Sequence, residues 1–454
     1  MNTTETGART LSGKLALHAA STRFEAIPAA EILATKRLML DTLAVGWAGS
    51  DAPGVPTLRG ALGGSGAESA LWAGDARVPV LDAAFLNGAA AAALDYDALH
   101  LDALVHADIV ALPAVLAAAQ AAHADGKAFL AALAVATDVT CRLGLATRLH
   151  SGWFYTSIHG IFGAAAGCAK VLGLGPDAIR DAFGIALSQV AGTQQPMVEK
   201  SLTKRLQSAF AARSGAFSAL LARSGVSGPR EAFEGKFGFY AKYEEGDPAA
   251  ALAGLGERYE GAYSSLKKYP SCGCNHAVIE ATIALMNEHR LAPDDVAGAT
   301  ARISPYMARL VGAPYDPGVN SQVAAQFSVQ YSMACAVQRR RLGIAEILPE
   351  AALDPKLGAF ARRVRVAIDE SNAGQLAPAE VELVTASGRR FTRRQSVLPG
   401  SPEQPLSDRE LQAKVAECMG RGFAPLSPRQ IERLTDRVMN LERLADVATL
   451  FDGL

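Results

Sequence analysis

Residues 83–94 read AAFLNGAAAAAL, residues 113–124 PAVLAAAQAAHA and residues 162–173 FGAAAGCAKVLG, and these stretches decide the fold. Ala is the strongest helix former, and its methyl side chain lets helix axes approach closely. Each stretch is apolar on every side, so each reads as a helix buried among helices rather than one with a wet face. Asn87, Asp95, His123 and Asp125 interrupt the Ala-rich region before it reaches membrane-spanning length, and no membrane insertion is expected.

Outward from these segments, the chain from Thr10 to about Gly261 keeps the same grammar, with helix starts at Pro, Ser or Asp and stops at Gly. Pro28 fits a first turn, where its missing N–H costs nothing. Ile32, Leu33, Leu40 and Leu43 then form an apolar face, and Gly46 and Gly49 are expected to loosen the end. LGLGPDAIRDAFG (172–184) satisfies a G-x-G-x-x-A pattern at Gly173, Gly175 and Ala178. It follows a helix rather than a strand, so it predicts a turn and a new helix from Pro176, not a dinucleotide site.

Beyond residue 265 the period changes. RVRVAID (363–369) alternates Val364, Val366 and Ile368 with charged residues, and VELVTASGRRFTRR (381–394) has two alternating arms joined at Ser387-Gly388, a hairpin signal. The lone helix NHAVIEATIALMNEH (275–289) precedes them. VLPGSPEQPLSD (397–408) reads as a linker, and residues 410–444 return to helix. The fold class expected is mainly α: a large all-helical domain built from both chain ends (1–265 and 401–454) plus a smaller α+β domain (266–400).

The 454 residues are 50% hydrophobic and 20% charged, a globular composition, and 44 Lys+Arg against 45 Asp+Glu exclude a basic nucleic-acid-binding protein. Six scattered cysteines are too few for a secreted disulfide framework, and the opening MNTTETGARTLSGK lacks the pattern of a signal peptide. A cytoplasmic location is expected.

The segment LDYDALHLDALVHADIV (94–110) sets Asp95, Asp97, His100, Asp102, His106 and Asp108 between two apolar helices. Carboxylates beside histidines tune each other for proton transfer, although the same acids could cap the next helix from a solvated loop. His276 falls in the first turn of its helix, where the dipole favours a neutral ring suited to a general base; filling a domain junction is the bland alternative. Cys272-Gly273-Cys274-Asn275-His276 lacks the spacing and the second ligand pair of a zinc site, so neither metal nor cofactor is expected. Ser201 and Lys204 share the S-x-x-K spacing of acyl enzymes without the companion motifs. Lys204, at a helix start among small residues, is better placed to bind a carboxylate or give a proton, unless it is an ordinary surface lysine.

DTLAVGWAGS (41–50), HADIVALPA (106–114), FGAAAGCAKVLGLGPDAIRDAFGIALSQVAG (162–192), LTKRLQSAFAARSGAFSALLARSGVSGP (202–229), KKYPSCGCNHAVIEA (267–281), AAQFSVQYSMA (324–334) and GSPEQPLSDRELQAKV (400–415) occur in succession. A series in this order resembles the MmgE/PrpD family, whose members include 2-methylcitrate dehydratase, cis-aconitate decarboxylase and iminodisuccinate epimerase. The resemblance implies a helical domain from both chain ends, a smaller lid domain, a homodimer and a metal-free active site between the domains. Residue by residue, it implies Asp95, His106, Lys204 and His276 as the catalytic groups. Where the family commonly has Phe-His-Pro-Thr, this chain has Trp153-Phe154-Tyr155-Thr156, so Phe154 takes the place of a pocket histidine, and Leu99 stands where a Thr is frequent. Phe154, His159 in the following helix, and Lys268 are the substrate-binding candidates.

The expected activity is a cofactor-independent lyase or isomerase acting on a small di- or tricarboxylate by proton transfer at carbon next to a carboxylate. His276 or His106 exchanges the proton, Asp95 orients its histidine, and Lys204 with Lys268 holds carboxylates. The alternatives are an epimerase of an iminodisuccinate-like dicarboxylate and, from another class, a polycarboxylate-binding protein without turnover.

Overall fold

The computed structural model describes residues 10–454 apart from 63, 65, 67, 149–150, 200 and 319. The opening of the chain before Thr10, on which the signal-peptide reading rests, lies outside the described residues. The chain forms two compact units, one comprising Met1–Ser265 with Leu411–Leu454 and the other Leu266–Glu410.

The first unit is helical. Its principal helices are α1 (Leu11–Ser21), α2 (Ala29–Gly49), α3 (Val80–Ala91), α4 (Asp108–Ala121), α5 (Gly126–Leu145), α6 (Tyr155–Val171), α7 (Pro176–Leu187) and α8 (Thr203–Arg223). Helix α6 lies at the centre and packs against α4, α5, α7 and α8, while α3 packs against α2, α4 and α8. Helix α5 has the length and apolarity to cross a membrane, but 89% of its apolar window is buried inside the protein. Its surface is spent on neighbouring helices. Helix α7 starts at Pro176 after an extended Gly175, as the sequence predicts.

Gly46 and Gly49 do not loosen α2, which runs through both. A Cβ at Gly46 would meet the Trp72 ring at 2.6 Å and one at Gly49 the Ala90 carbonyl oxygen at 2.1 Å, so these glycines permit close packing inside a helix. Packing supplies what their low helix propensity loses.

The second unit contains a four-stranded sheet made of β1 (Val296–Ile303), β2 (Val364–Ile368), β3 (Ala379–Thr385) and β4 (Arg390–Gln395), in the order β2-β1-β3-β4. β1 pairs in parallel with β2, Ala301 opposite Val366, and antiparallel with β3, Ala301 opposite Val381. β3 and β4 form the hairpin expected from Ser387-Gly388, and Gly388 supplies a φ of +82°. β4 is an edge strand rich in Arg, which discourages further pairing. Helix α9 (Gly273–Glu288) covers β3 and β4, and it is not the lone helix of the unit: α10 (Val329–Arg339) packs on it within the crossover between β1 and β2. The unit keeps residues 397–408, expected as a linker. The Leu266 N–H donates to the Gly400 carbonyl at 2.9 Å and the Gly400 N–H to the Gln404 carbonyl at 2.8 Å.

Two further helices follow, α11 (Asp408–Met419) and α12 (Pro428–Met439). Arg433 and Arg437 on α12 hold the chain end, donating to the carbonyls of Gly453, Leu450 and Asp452. The surface groove lined by Arg429, Arg433, Arg437 and Arg443 is therefore in large part an anchor for that end.

Candidate active site

The polar segment between α3 and α4 is not a solvated loop. Asp95, Asp97, His100 and Asp108 are all buried, and the chain is tied down by paired hydrogen bonds between Leu99 and Ser265 and by the His100 N–H donating to the Val105 carbonyl. Asp95 has a φ of +52°, outside the usual range of a non-glycine residue. A strained acid at a buried turn is where function is commonly stored.

Asp95 and Asp97 serve different partners. Lys204, in the first turn of α8, places Nζ 2.6 Å from Asp95 Oδ1. His106 places Nδ1 2.6 Å from Asp97 Oδ2 and 3.0 Å from the Ala98 carbonyl oxygen, and its backbone N–H donates to Thr156 Oγ1 at the start of α6. The carboxylate beside His106 is thus that of Asp97, whereas Asp95, expected there from the sequence, pairs with Lys204. Lys414 of α11 sits 2.6 Å from Asp41 Oδ1 and donates to the Tyr96 carbonyl, both lysine and acid being buried. Asp108 stands in the first turn of α4 without a hydrogen-bond partner for either carboxylate oxygen among the described residues. Burial first, then Asp41 and Asp97, push its carboxyl up to about 7.

His100 and His159 make their contacts within the helical unit. His100 accepts the Ala103 N–H on Nδ1, and its Nε2 lies 3.9 Å from Glu260 Oε2. His159 is fully buried, with Nδ1 at 3.1 Å from the Tyr155 carbonyl, Nε2 at 3.0 Å from Thr147 Oγ1, and its ring against Tyr155 and Phe239. His159, proposed from the sequence as a substrate-binding residue, stands one turn into a central helix with both ring nitrogens partnered inside the unit. Trp153 and Phe154 are half-buried at the start of α6, whereas Tyr155 is buried.

In the second unit His276 lies in the first turn of α9, as expected, and is fully buried. Its Nε2 is 3.4 Å from the Ser271 carbonyl and its ring meets Tyr269 edge-on at 5.3 Å. Lys268 pairs with Glu280 and Glu410, each at 3.1 Å, and Tyr269 also donates to Glu280. Burial alone would lower the Lys268 ammonium's pKa, but the two carboxylates raise it. Lys268, like Lys204, is held by carboxylates of its own unit. The Cys274 thiol is pushed up by its hydrogen bond with Cys272 and by burial, and none of the six cysteines is in a disulfide. Among the described residues no group of three or more His, Cys, Asp or Glu is placed to hold a metal ion.

A helical unit carrying a half-buried Asp–Lys pair and a carboxylate-held histidine is the kind of site that manipulates protons next to anionic groups. The chain belongs to the MmgE/PrpD family. The model of the MmgE/PrpD N-terminal domain matches residues 13–251 and that of the C-terminal domain residues 269–441. Similar proteins include the cis-aconitate decarboxylase-like protein oryM of Aspergillus oryzae, 27% identical over 93% of both chains. The cis-aconitate decarboxylase of Aspergillus terreus is 26% identical over 94% of this chain and 92% of its own, and that of Homo sapiens 27% identical over 92% and 88%.

Proposed function

We propose that the protein is a cofactor-independent lyase that removes carbon dioxide from a small unsaturated tricarboxylate of the cis-aconitate kind. The observation that carries this reading is the similarity, over 92–94% of this chain, to proteins named as cis-aconitate decarboxylases or decarboxylase-like. The side chains support it. Lys204, held by Asp95, offers a fixed ammonium to a carboxylate, and His106, held by Asp97, offers a proton.

In such a reaction the bond to the departing carboxylate carbon breaks and its electron pair stays on the allylic carbons. A neighbouring carboxylate takes up the charge, which the Lys204 ammonium stabilises. One proton delivered to carbon by His106 completes the balance, leaving carbon dioxide and an unsaturated dicarboxylate. His276 is retained as a second proton-exchanging candidate. The reading includes a homodimer, for which α8 offers an exposed stripe containing Phe210 and Phe217.

The test is a panel of cis-aconitate, methylcitrate, citrate and iminodisuccinate followed by proton NMR in deuterated water. Loss of carbon dioxide from cis-aconitate supports the reading. Exchange of a proton without loss of carbon marks an epimerase, and binding without change a non-catalytic relative.

A further inference from the structure

We propose that Asp97 is the positioning residue of the acid–base histidine: with the Ala98 carbonyl it keeps a proton on Nδ1 of His106 and so makes Nε2 the atom that exchanges protons with substrate. The inference deepens the proposed function and rests on the role given there to His106, although its first readout needs no substrate.

The geometry fixes the direction of the proton. Nδ1 of His106 faces two oxygens at once, Asp97 Oδ2 at 2.6 Å and the Ala98 carbonyl at 3.0 Å. A carbonyl can only accept, so Nδ1 carries the hydrogen that it donates to Ala98, and the Asp97 carboxylate stands beside that N–H as its ion-pair partner. Free imidazole prefers its proton on Nε2, and the reversed tautomer is therefore a signature of this site rather than of histidine in general. The ring cannot swing away at little cost. Its backbone N–H is held by Thr156 Oγ1 at 3.0 Å, and Val105 just before it accepts from the His100 N–H at 2.9 Å.

The acids nearest Asp97 have partners or environments of their own. Asp41 on α2 is paired with Lys414 on α11. Asp108 on α4 retains its proton well into the neutral range because burial, Asp41 and Asp97 all oppose its ionisation, and Cys141 on α5 feels the same acid. Asp95 is occupied by Lys204. The left-handed turn at Asp95 separates two acids that an extended chain would point to one side, which is why one serves the lysine and the other the histidine.

The experiment labels histidine with ¹⁵N in the full chain, assigns His106 by loss of its signals in His106→Gln, and titrates the wild type. The expected neutral form shows a protonated Nδ1 and an unprotonated Nε2. Asp97→Asn, whose amide can donate to Nδ1, should shift that balance toward Nε2–H. A neutral wild-type ring protonated on Nε2 overturns the proposal whether or not the substrate is known. On a turned-over substrate, Asp97→Asn should lower kcat by at least about tenfold with little change in KM and should displace the pH profile. Asp97→Ala combined with His106→Ala should be no slower than His106→Ala alone. Multiplying losses would show that Asp97 acts apart from the histidine. If no polycarboxylate reacts, the proposed function fails while the tautomer measurement still decides this inference.

Discussion

Asp108 is a buried acid of the cluster whose carboxyl is raised by its surroundings. In the folded chain it holds its proton up to about 7, against an ordinary value of 3.8. Between those values the unfolded state binds fewer protons than the folded state, so stability falls as pH rises through the window. Asp108→Asn, neutral throughout, should match the wild type near pH 4 and exceed it at pH 8 by on the order of a few kcal/mol. Thermal melts at the two pH values measure this, and a difference that does not widen with pH contradicts it. Phe154 makes a second residue-scale prediction. A hydroxyl or carboxylate facing its ring forgoes a hydrogen bond, a cost of about 1–3 kcal/mol. Phe154→His should raise kcat/KM on citrate or methylcitrate relative to the native substrate, and an unchanged ratio leaves Phe154 as packing alone. Asp95, Asp97, His106 and Lys204 were all visible in the sequence as chemistry-bearing residues in apolar surroundings. Their pairing was not, because it depends on the turn at Asp95, whose positive φ no local pattern announces. Asp41 and Lys414 carried a weaker signal, a charge set among Leu40, Leu43, Leu411 and Val415 on otherwise apolar faces.

At the scale of elements, helices read from Ala content and Pro or Gly punctuation were legible, whereas glycines inside them misled. Gly163 in α6 shows why. A Cβ there would sit 2.0 Å from Thr140 Oγ1 and 2.3 Å from the Ala136 carbonyl oxygen on α5, and a backbone oxygen cannot turn aside. Gly163→Ala should therefore push α5 and α6 apart and destabilise by about 1–3 kcal/mol despite alanine's better helix propensity. A urea midpoint equal to or above the wild type would contradict the tight crossing. The strand β1 escaped the sequence reading because VAGATARI is rich in Ala and Gly rather than in large β-branched residues. It is held by strands on both sides, a tertiary effect that no local pattern records. The hairpin β3–β4, with its own turn chemistry, was legible for the opposite reason.

For the whole molecule, the exposed Phe210 and Phe217 on α8, 48% and 40% accessible, predict self-association. Light scattering should give a dimer, and Phe217→Glu should weaken it by at least about tenfold through the cost of burying a charge. A monomeric wild type at micromolar concentration contradicts this. The central claim concerns the proton that His106 delivers to carbon, and one measurement reaches it directly. Cis-aconitate is incubated in deuterated water with the wild type and with His106→Ala, and the product is followed by NMR. The wild type should release one carbon dioxide and place one deuterium on a product carbon per turnover, with kcat falling by about 10²–10⁴-fold in the variant. Near-wild-type turnover and labelling in His106→Ala would contradict the account.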